Sequence, residues 1–191
     1  VIGSGATAVT LIPELAKHAK MTTMLQRSPT YVTTLPKEDR FLVLLRKVLP
    51  DNWVYRFART RNIGITIAFY NYYRAFPNSA RRLLTRMAKK ALPASFNMEH
   101  FKPKYAPWDE RVCVVPDSDL FKVLSDGTAK IVTDEIDTFT ETGIKLKSGS
   151  TLNADIVVSA TGLNIQILGG IEVSVDGKPY DFSEKMIYRG V

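Results

Sequence analysis

This chain of 191 residues has one cysteine, two histidines and no long apolar run. Its single cysteine, Cys113, can supply neither a disulfide framework nor a zinc site, which favours a reducing, cytoplasmic setting. No stretch reaches the roughly 18 uninterrupted apolar residues of a membrane-spanning helix. His18 and His100 have no second metal ligand at a usable spacing, so the sequence predicts no metal site.

The two ends of the chain also lack ordinary signals. A signal peptide is not expected, because a glycine-rich turn begins at Gly3. Val1 and Ile2 are typical of the last residues of a strand, and residues 186–191 stop inside an apolar run. We therefore expect the chain to be an excerpt of a larger protein. We also expect a hydrophobic core, because 45% of the residues are hydrophobic.

The net charge of +7 is unevenly distributed. Residues 37–104 carry fifteen basic and four acidic side chains, whereas residues 105–191 carry eight basic and fourteen acidic ones. An anionic partner would therefore contact the first of these segments. A peripheral membrane or partner contact through residues 37–92 is an alternative to a solvated helix face, because basic and apolar residues lie opposite one another in one predicted helix. The basic ones are Arg81, Arg82, Arg86, Lys89 and Lys90.

The order of predicted elements indicates an α/β fold. A strand at residues 1–2, a helix at 7–19 with Leu11, Leu15 and Ala19 on one face, and a strand at 22–26 form a unit with parallel strands. A helical insertion then follows at residues 41–49, 54–75 and 80–92, and a proline-rich loop leads to Arg111. The remaining elements are strands at 112–115 and 129–132, a helix at 117–124, hairpins at 135–147 and 173–180, and a buried parallel strand at 155–159.

The glycine-rich turn fits the dinucleotide-binding fingerprint. Gly3 allows the tight turn, Gly5 lets the backbone approach a pyrophosphate, and Ala8 lets the helix pack closely on the strand. The pattern alone is weak, but here it follows a strand, opens a helix and leads to a second strand. The predicted cofactor-binding residues of the turn are Gly3, Ser4, Gly5, Ala6, Thr7 and Ala8.

The end of the second strand indicates which dinucleotide binds. NAD-binding domains usually place an acid there for the ribose 2′-hydroxyl. This chain has Arg27 and Ser28 instead, and the planar guanidinium can hold a 2′-phosphate. The sequence therefore predicts NADPH as the cofactor.

Several spaced motifs together carry a family resemblance that covers essentially the whole chain. The glycine-rich turn, the segment at residues 25–31, the loop at 100–111, the segment at 115–121 and the triplet Ala160, Thr161 and Gly162 occur in the order of class B flavin-dependent monooxygenases. Within that class the chain resembles the ethionamide-activating branch of the Baeyer–Villiger monooxygenases. The triplet resembles the segment that links the NADPH domain back to the FAD domain, and the resemblance implies that Ala160, Thr161 and Gly162 are cofactor-binding residues.

The resemblance implies a function, cofactors and one catalytic residue. The whole enzyme would use NADPH, FAD and O2 to insert one oxygen atom into a ketone or onto sulfur, with no nucleic acid partner. An arginine of the NADPH domain stabilises the developing anion on the flavin in this family, and Arg111 matches it. The FAD fingerprint is absent from these residues, so the chain alone is expected to be inactive. Oligomeric state and substrate stay open.

The resemblance and the element order together predict a three-layer Rossmann-like dinucleotide-binding domain with a helical insertion and small β-hairpins. Its first strand–helix–strand unit would occupy residues 1–36, the insertion and proline-rich loop 37–111, and the remainder of the domain 112–164. Residues 165–191 would begin the return to the FAD-binding domain. Two alternatives remain: a flavoprotein of the disulfide-reductase type, and a non-catalytic nucleotide-binding module with a basic docking helix.

Overall fold

The computed structural model describes residues 1–164 and 167–180, and it divides the chain into two compact units, Val1–Thr161 and Gly162–Val191. The predicted apolar run at residues 186–191 lies outside the described residues. The helices of the first unit are α1 (Ala6–Leu15), α2 (Arg40–Leu45), α3 (Asp51–Ala75), α4 (Pro77–Lys90) and α5 (Asp119–Ser125), with a 3₁₀ turn at Met98–Phe101. Its strands are β1 (Thr22–Gln26), β2 (Tyr31–Leu35), β3 (Val112–Pro116), β4 (Ala129–Thr133), β5 (Ile136–Thr140), β6 (Gly143–Leu146) and β7 (Thr151–Asn153).

Parallel pairing begins at the first two residues of the chain. β1 pairs in parallel with β4 along its whole length, and Ile2 makes parallel bridges with both Leu25 of β1 and Ser159. The parallel direction predicted for the first two strands is therefore confirmed. The buried strand predicted at residues 155–159 is wrong: within this segment Ser159 makes only an isolated parallel bridge with Ile2, and Ile156 is 81% exposed, because the segment lies at the edge of the described sheet.

The parallel strands separate two apolar clusters. Consecutive side chains of β1 point to opposite faces, so Met24 packs with α1 and α5 while Leu25 packs with Ile144 and Leu146 of β6. On the helical side, Phe121 of α5 is 1% exposed, and burial of one such side chain contributes roughly 1.5–3 kcal/mol. Helices therefore cover one face of these strands and an antiparallel sheet covers the other.

The first helix is shorter than predicted and buries a different face. α1 ends at Leu15, and its buried residues are Ala8, Val9, Ile12 and Pro13. The predicted face of Leu11, Leu15 and Ala19 is wrong, because Leu11 and Leu15 are half-buried and Ala19 is exposed beyond the helix. Small Ala8 and branched Val9 face the core, which brings the helix axis close to the strands.

A second parallel pair lies outside this sheet order. β2 pairs with the predicted strand β3, whereas β2 itself was not predicted. After β3, Asp117 and Ser118 both adopt left-handed backbone conformations, with φ of 48° and 60°. The helix α5 therefore begins at Asp119, two residues later than predicted, and the Asp117 carboxylate accepts a hydrogen bond from the Lys37 backbone at 3.0 Å.

The predicted hairpin at residues 135–147 is present and gains a third strand. β5, β6 and β7 form an antiparallel sheet in that order. Gly143 starts β6 where a Cβ would lie 2.0 Å from the Leu152 carbonyl oxygen, so a side chain cannot fit there. Beyond this unit, Gly162–Val191 contains the predicted hairpin, with β8 (Ser174–Val175) antiparallel to β9 (Lys178–Pro179).

The helical insertion contains three helices, as predicted, which differ in burial. α4 buries Ala80, Leu84 and Ala88 and contacts β2, so its apolar face is occupied within the domain. Among the described residues of α3, Val54 alone is buried. Within the described chain, no helix is both long and apolar enough to cross a membrane. The exposed large apolar side chains of α3 include Trp53, Tyr55, Phe57, Ile63, Ile65, Ile67, Phe69 and Tyr70.

Candidate functional site

The glycine-rich turn is held against Ala160, the first residue of the predicted triplet. Gly3 has φ of +135°, and a Cβ at this position would lie 2.3 Å from the Ala160 carbonyl oxygen. The Ala160 N–H donates to the Ile2 carbonyl at 2.8 Å, which fixes this close approach. The hydroxyls of Thr161 and Ser159 are 3.3 Å apart. Gly162 has φ of +95° and belongs to the second unit.

The N-terminus of α1 has the chemistry of an anion site. Its N-cap is Gly5, which has no side chain to satisfy the first N–H groups, and the first turn carries no acid. Ala6 and Thr7 are exposed at the helix start, whereas Ala8 is fully buried beneath it. Unsatisfied N–H groups and the helix dipole favour a phosphate at this position.

Arg111 lies over this turn. Its Nη2 donates to the Ser4 hydroxyl at 3.0 Å, and a Cβ added at Gly5 would lie 3.9 Å from its Nε. The Ser4 hydroxyl in turn donates to the Ser28 carbonyl at 3.2 Å. Ser4 therefore connects the predicted catalytic arginine to Ser28, which was predicted to bind the 2′-phosphate. The spacing of these residues along the chain could not reveal this connection.

A tyrosine pair fixes the backbone of Arg111. The Tyr105 hydroxyl donates to the Arg111 carbonyl at 3.1 Å and lies 2.7 Å from the Thr30 hydroxyl. The Tyr31 hydroxyl donates to the Tyr105 carbonyl at 2.9 Å, and the two rings meet edge to face at 5.4 Å. Burial raises the pKa of Tyr105. The phenol therefore stays protonated at neutral pH and keeps donating to the Arg111 carbonyl.

The loop before Arg111 is also attached to α3. The Arg74 guanidinium contacts the Asp109 carboxylate at 2.7 Å, and the Tyr70 and Trp108 rings lie edge to face at 5.9 Å. Trp108 has φ of 69°, an uncommon conformation for a bulky residue, and is 41% exposed. The helical insertion thus contacts the segment that carries the candidate catalytic residue.

Arg27 and Ser28 follow β1 and are both exposed. The Lys147 ammonium, which hydrogen-bonds Glu135 at 2.5 Å, is the main cause of a lowered pKa of Glu135, and Arg27 contributes a smaller part. Glu135 is therefore a nearby acid that the sequence did not identify, because it follows β4 rather than β1. The guanidinium of Arg27 is accessible to a ligand.

Gln26, buried at the end of β1, ties this strand to the turn at Met98–Phe101. Its amide donates to the His100 carbonyl at 2.9 Å and to the Thr133 hydroxyl at 2.8 Å. The same hydroxyl lies 2.7 Å from His100 Nδ1. Burial lowers the pKa of His100, so its ring is neutral at pH 7. His100 is thus a structural residue, and His18 is exposed.

The lone cysteine lies beneath the turn and is not reactive. Cys113, 5% exposed in β3 as predicted, donates weakly from Sγ to the Ser4 carbonyl at 3.9 Å. Burial raises the pKa of its thiol, which keeps it protonated. Within residues 1–164 and 167–180, no group of three or more His, Cys, Asp or Glu side chains could hold a metal ion.

Comparison with known proteins reveals relatives along the whole chain. No protein-family model matches. The chain is 52% identical to the probable FAD-binding monooxygenase AlmA of Acinetobacter baylyi, 53% to the putative FAD-containing monooxygenase MymA of Mycobacterium tuberculosis and 49% to the FAD-containing monooxygenase EthA of Mycolicibacterium smegmatis. Each alignment covers 100% of this chain but 39% of the relative. The resemblance to flavin-dependent monooxygenases is thereby confirmed.

Solved structures support the same fold at lower identity. An oxidised steroid monooxygenase bound to NADP matches 85% of this chain and 38% of its own with a TM-score of 0.63 and 19% identity. An FAD-bound form of OTEMO matches 93% of this chain and 40% of its own with a TM-score of 0.64 and 17% identity. The mixed helix–strand fold is thus that of this group of monooxygenases.

Proposed function

We propose that this chain is the NADPH-binding portion of an FAD-dependent monooxygenase that inserts one oxygen atom of O2 into a ketone or onto sulfur. The observation that carries the proposal is the turn at Gly3, where an uncapped helix N-terminus lies beside Arg111. The relatives are named as FAD-binding or FAD-containing monooxygenases, which supports an FAD-dependent monooxygenase reaction. FAD would be held mainly by segments outside this chain.

The fold we infer is a three-layer Rossmann-like domain with a helical insertion. Its support is the parallel order β4, β1, Ile2 and Ser159, with α1 and α5 on one face and the β5–β7 sheet on the other. Residues 37–111 would form the insertion and its loop, between the parts of the domain at 1–36 and 112–164. Residues 165–191 would begin the return to the FAD-binding domain.

The residues at the turn fit a bound dinucleotide phosphate. The side chain that Gly5 lacks leaves the backbone open to a pyrophosphate, which the N–H groups of Ala6 and Thr7 would receive at the helix start. Exposed Arg27 and Ser28 would hold the 2′-phosphate by charge-assisted hydrogen bonds. When bound, NADPH supplies the hydride and FAD the oxygen activation.

In this proposal Arg111 has the catalytic role, and Ala160, Thr161 and Gly162 belong to the cofactor-binding residues. A guanidinium remains cationic at any working pH, and its fixed donors stabilise negative charge as it develops. Ser4 holds one end of Arg111 and Tyr105 holds its carbonyl, so the charge is oriented before substrate arrives. Preorganisation of this kind lowers a barrier without reorganisation during the reaction.

The deciding experiment uses the full-length protein. Co-purification of FAD, NADPH-dependent oxygen consumption, and an ester or sulfoxide product from a ketone or sulfide would support the proposal. FAD with NADPH-dependent disulfide reduction and no oxygenated product would instead indicate the reductase alternative, although Cys113 alone supplies no redox pair in this chain. NADPH binding without FAD would indicate a non-catalytic module.

A peripheral membrane contact through residues 37–92 is a second proposal, and the observation that favours it is specific to α3. Aromatic Trp53, Tyr55 and Phe57 are exposed beside the cations Arg56 and Arg59, a composition typical of interfacial helices. The apolar face of α4 is already buried, so the contact would involve α3. Co-flotation of the full-length protein with anionic vesicles, reduced in a Trp53→Ser, Phe57→Ser variant, would support it.

A further inference from the structure

A groove of about 500 Å³ opens between α4 and the loop that follows the Met98–Phe101 turn. Its floor includes Tyr31, which is 2% exposed, and the buried Pro103. None of Gly3, Gly5 and Arg27 lines it, so it is separate from the glycine-rich turn. We call it the basic groove, because five of its lining side chains are cations: Arg81, Arg82, Arg86, Lys89 and Lys102.

The cations of α4 are arranged on one side of a helix that cannot turn away. Arg82, Arg86 and Lys89 are spaced by four and three residues, so they share a face. Leu84, on the opposite side, is 1% exposed and anchors the helix to the domain. The basic face is therefore fixed toward the groove.

Acidic side chains do not neutralise this face. The sequence has no acid between Asp51 and Glu99, so α4 has no internal ion pairs. Lys102 pairs with Glu99, and Arg81 donates to the Tyr105 carbonyl at 3.4 Å. Arg82, Arg86 and Lys89 have no carboxylate within 4.0 Å in the part of the chain that the structure describes. Like charges four residues apart destabilise a helix, and an anion would offset that repulsion.

We propose that the basic groove binds a phosphate-bearing ligand. Three cations without a carboxylate partner on one wall favour an anion with more than one negative charge. A guanidinium group can donate two parallel hydrogen bonds to two phosphate oxygens. The volume lies in the range of small-molecule sites, and the Tyr31 ring and Pro103 offer an apolar floor for an organic substituent. This chemistry belongs either to a phospholipid head group or to a soluble phosphate ester.

The experiment compares two double variants of equal charge in the full-length protein. Arg82→Gln with Arg86→Gln removes two groove cations, whereas Lys122→Gln with Lys130→Gln removes two exposed cations that lie outside both the groove and α3. Inorganic pyrophosphate is titrated calorimetrically into protein saturated with NADP, and flotation is measured with vesicles of phosphatidylglycerol and of phosphatidylcholine. Circular dichroism checks that each variant is folded.

We expect the groove variant to lose about 10- to 100-fold in affinity for its probe and the Lys122→Gln, Lys130→Gln variant to keep it. Pyrophosphate binding without flotation identifies a soluble ester, and flotation with phosphatidylglycerol alone identifies a lipid head group. Equal losses in both variants, or no binding of either probe by the wild-type protein, would overturn the proposal. NADP affinity is measured separately. If the proposed function is wrong, the wild-type protein would fail to bind NADP, whereas the comparison of the two variants tests the groove alone.

Discussion

The glycine-rich turn and the helical insertion use their residues in opposite ways. Around the turn, small or buried residues bring backbone segments into contact, as Gly3 does against Ala160. In α3, most side chains are large and exposed, and Gly64 has open space around it. Substitutions at the turn therefore meet fixed atoms, whereas substitutions in α3 meet solvent.

The two regions nevertheless meet at the loop before Arg111. Arg74 and Tyr70 of α3 contact Asp109 and Trp108, while Ser4 of the turn holds the Arg111 guanidinium. The insertion thus helps to place the residue that the proposed reaction depends on. This difference between an organising turn and a supporting helix can be tested by substitution.

The largest effect is expected at Arg111. In the full-length enzyme, Arg111→Ala should lower product formation about 100-fold or more, because a charge-assisted interaction worth several kcal/mol is lost in a water-poor site. Arg111→Lys should recover only part, since an ammonium cannot reproduce the planar donor set. Product is quantified at saturating NADPH.

The matched control is Arg74→Ala. It removes the cation that contacts Asp109 in the loop before Arg111, but it leaves the hydrogen bond from Arg111 to Ser4 in place. Its loss should be much smaller. NADPH affinity should be retained in Arg111→Ala, because Arg27 would hold the far end of the cofactor. An Arg111→Ala enzyme with the parent rate would reduce Arg111 to a loop residue.

A pair of glycines tests the comparison directly through stability. Gly3→Ala places a Cβ against the Ala160 carbonyl at positive φ and should cost about 3 kcal/mol, lowering the melting temperature of the chain by roughly 6–12 °C. Gly64→Ala in α3 should raise it slightly, because alanine is favoured over glycine in a helix by about 1 kcal/mol. Equal shifts at both positions, measured by circular dichroism, would contradict this difference.

The elements that could be predicted from the sequence are those whose boundaries depend on glycine or proline. The turn at Gly3, the hairpin before Gly143 and the helices between Pro50 and Pro93 were predicted because glycine and proline restrict local conformation directly. The strand β2 was missed, and its parallel pairing with β3, about 80 residues further along the chain, was not predicted either. Long-range pairing of this kind leaves no local signal.

The same reason limits what could be predicted of the candidate site. Residue types identified Arg27 and Ser28, and the family resemblance identified Arg111, but the Ser4 hydroxyl that joins Arg111 to Ser28 depends on folding across 107 positions. The buried face of α1 was assigned wrongly because Leu11 and Leu15 are more hydrophobic than Ala8. Close packing on strands favoured the small residue at that position.

The next largest effect concerns cofactor choice at Arg27. In the full-length enzyme, Arg27→Ala should weaken NADPH binding about 30- to 150-fold, or roughly 2–3 kcal/mol, by removing the grip on the 2′-phosphate. NADH use should hardly change, because NADH lacks that phosphate. Glu135→Gln is an informative companion, since Lys147 chiefly and Arg27 to a smaller extent lower the pKa of Glu135, so the Arg27 charge interacts with that carboxylate. Equal weakening of NADPH and NADH in Arg27→Ala would count against the assignment.

The smallest expected effect is a pH dependence of stability from His100, which joins the two regions at the end of β1. Burial lowers the pKa of its ring below the ordinary 6.5, so the unfolded chain binds a proton more readily than the folded one. Stability should therefore be complete above pH 6.5 and decline as the pH falls below it. The loss should be under about 1 kcal/mol, because the ring is only half-buried. Melting temperatures at pH 8 and pH 5.5 measure it, and His100→Asn should narrow their difference, since the amide keeps a partner for Thr133 without titrating. If the variant shows the wild-type difference, the pH dependence comes from other groups.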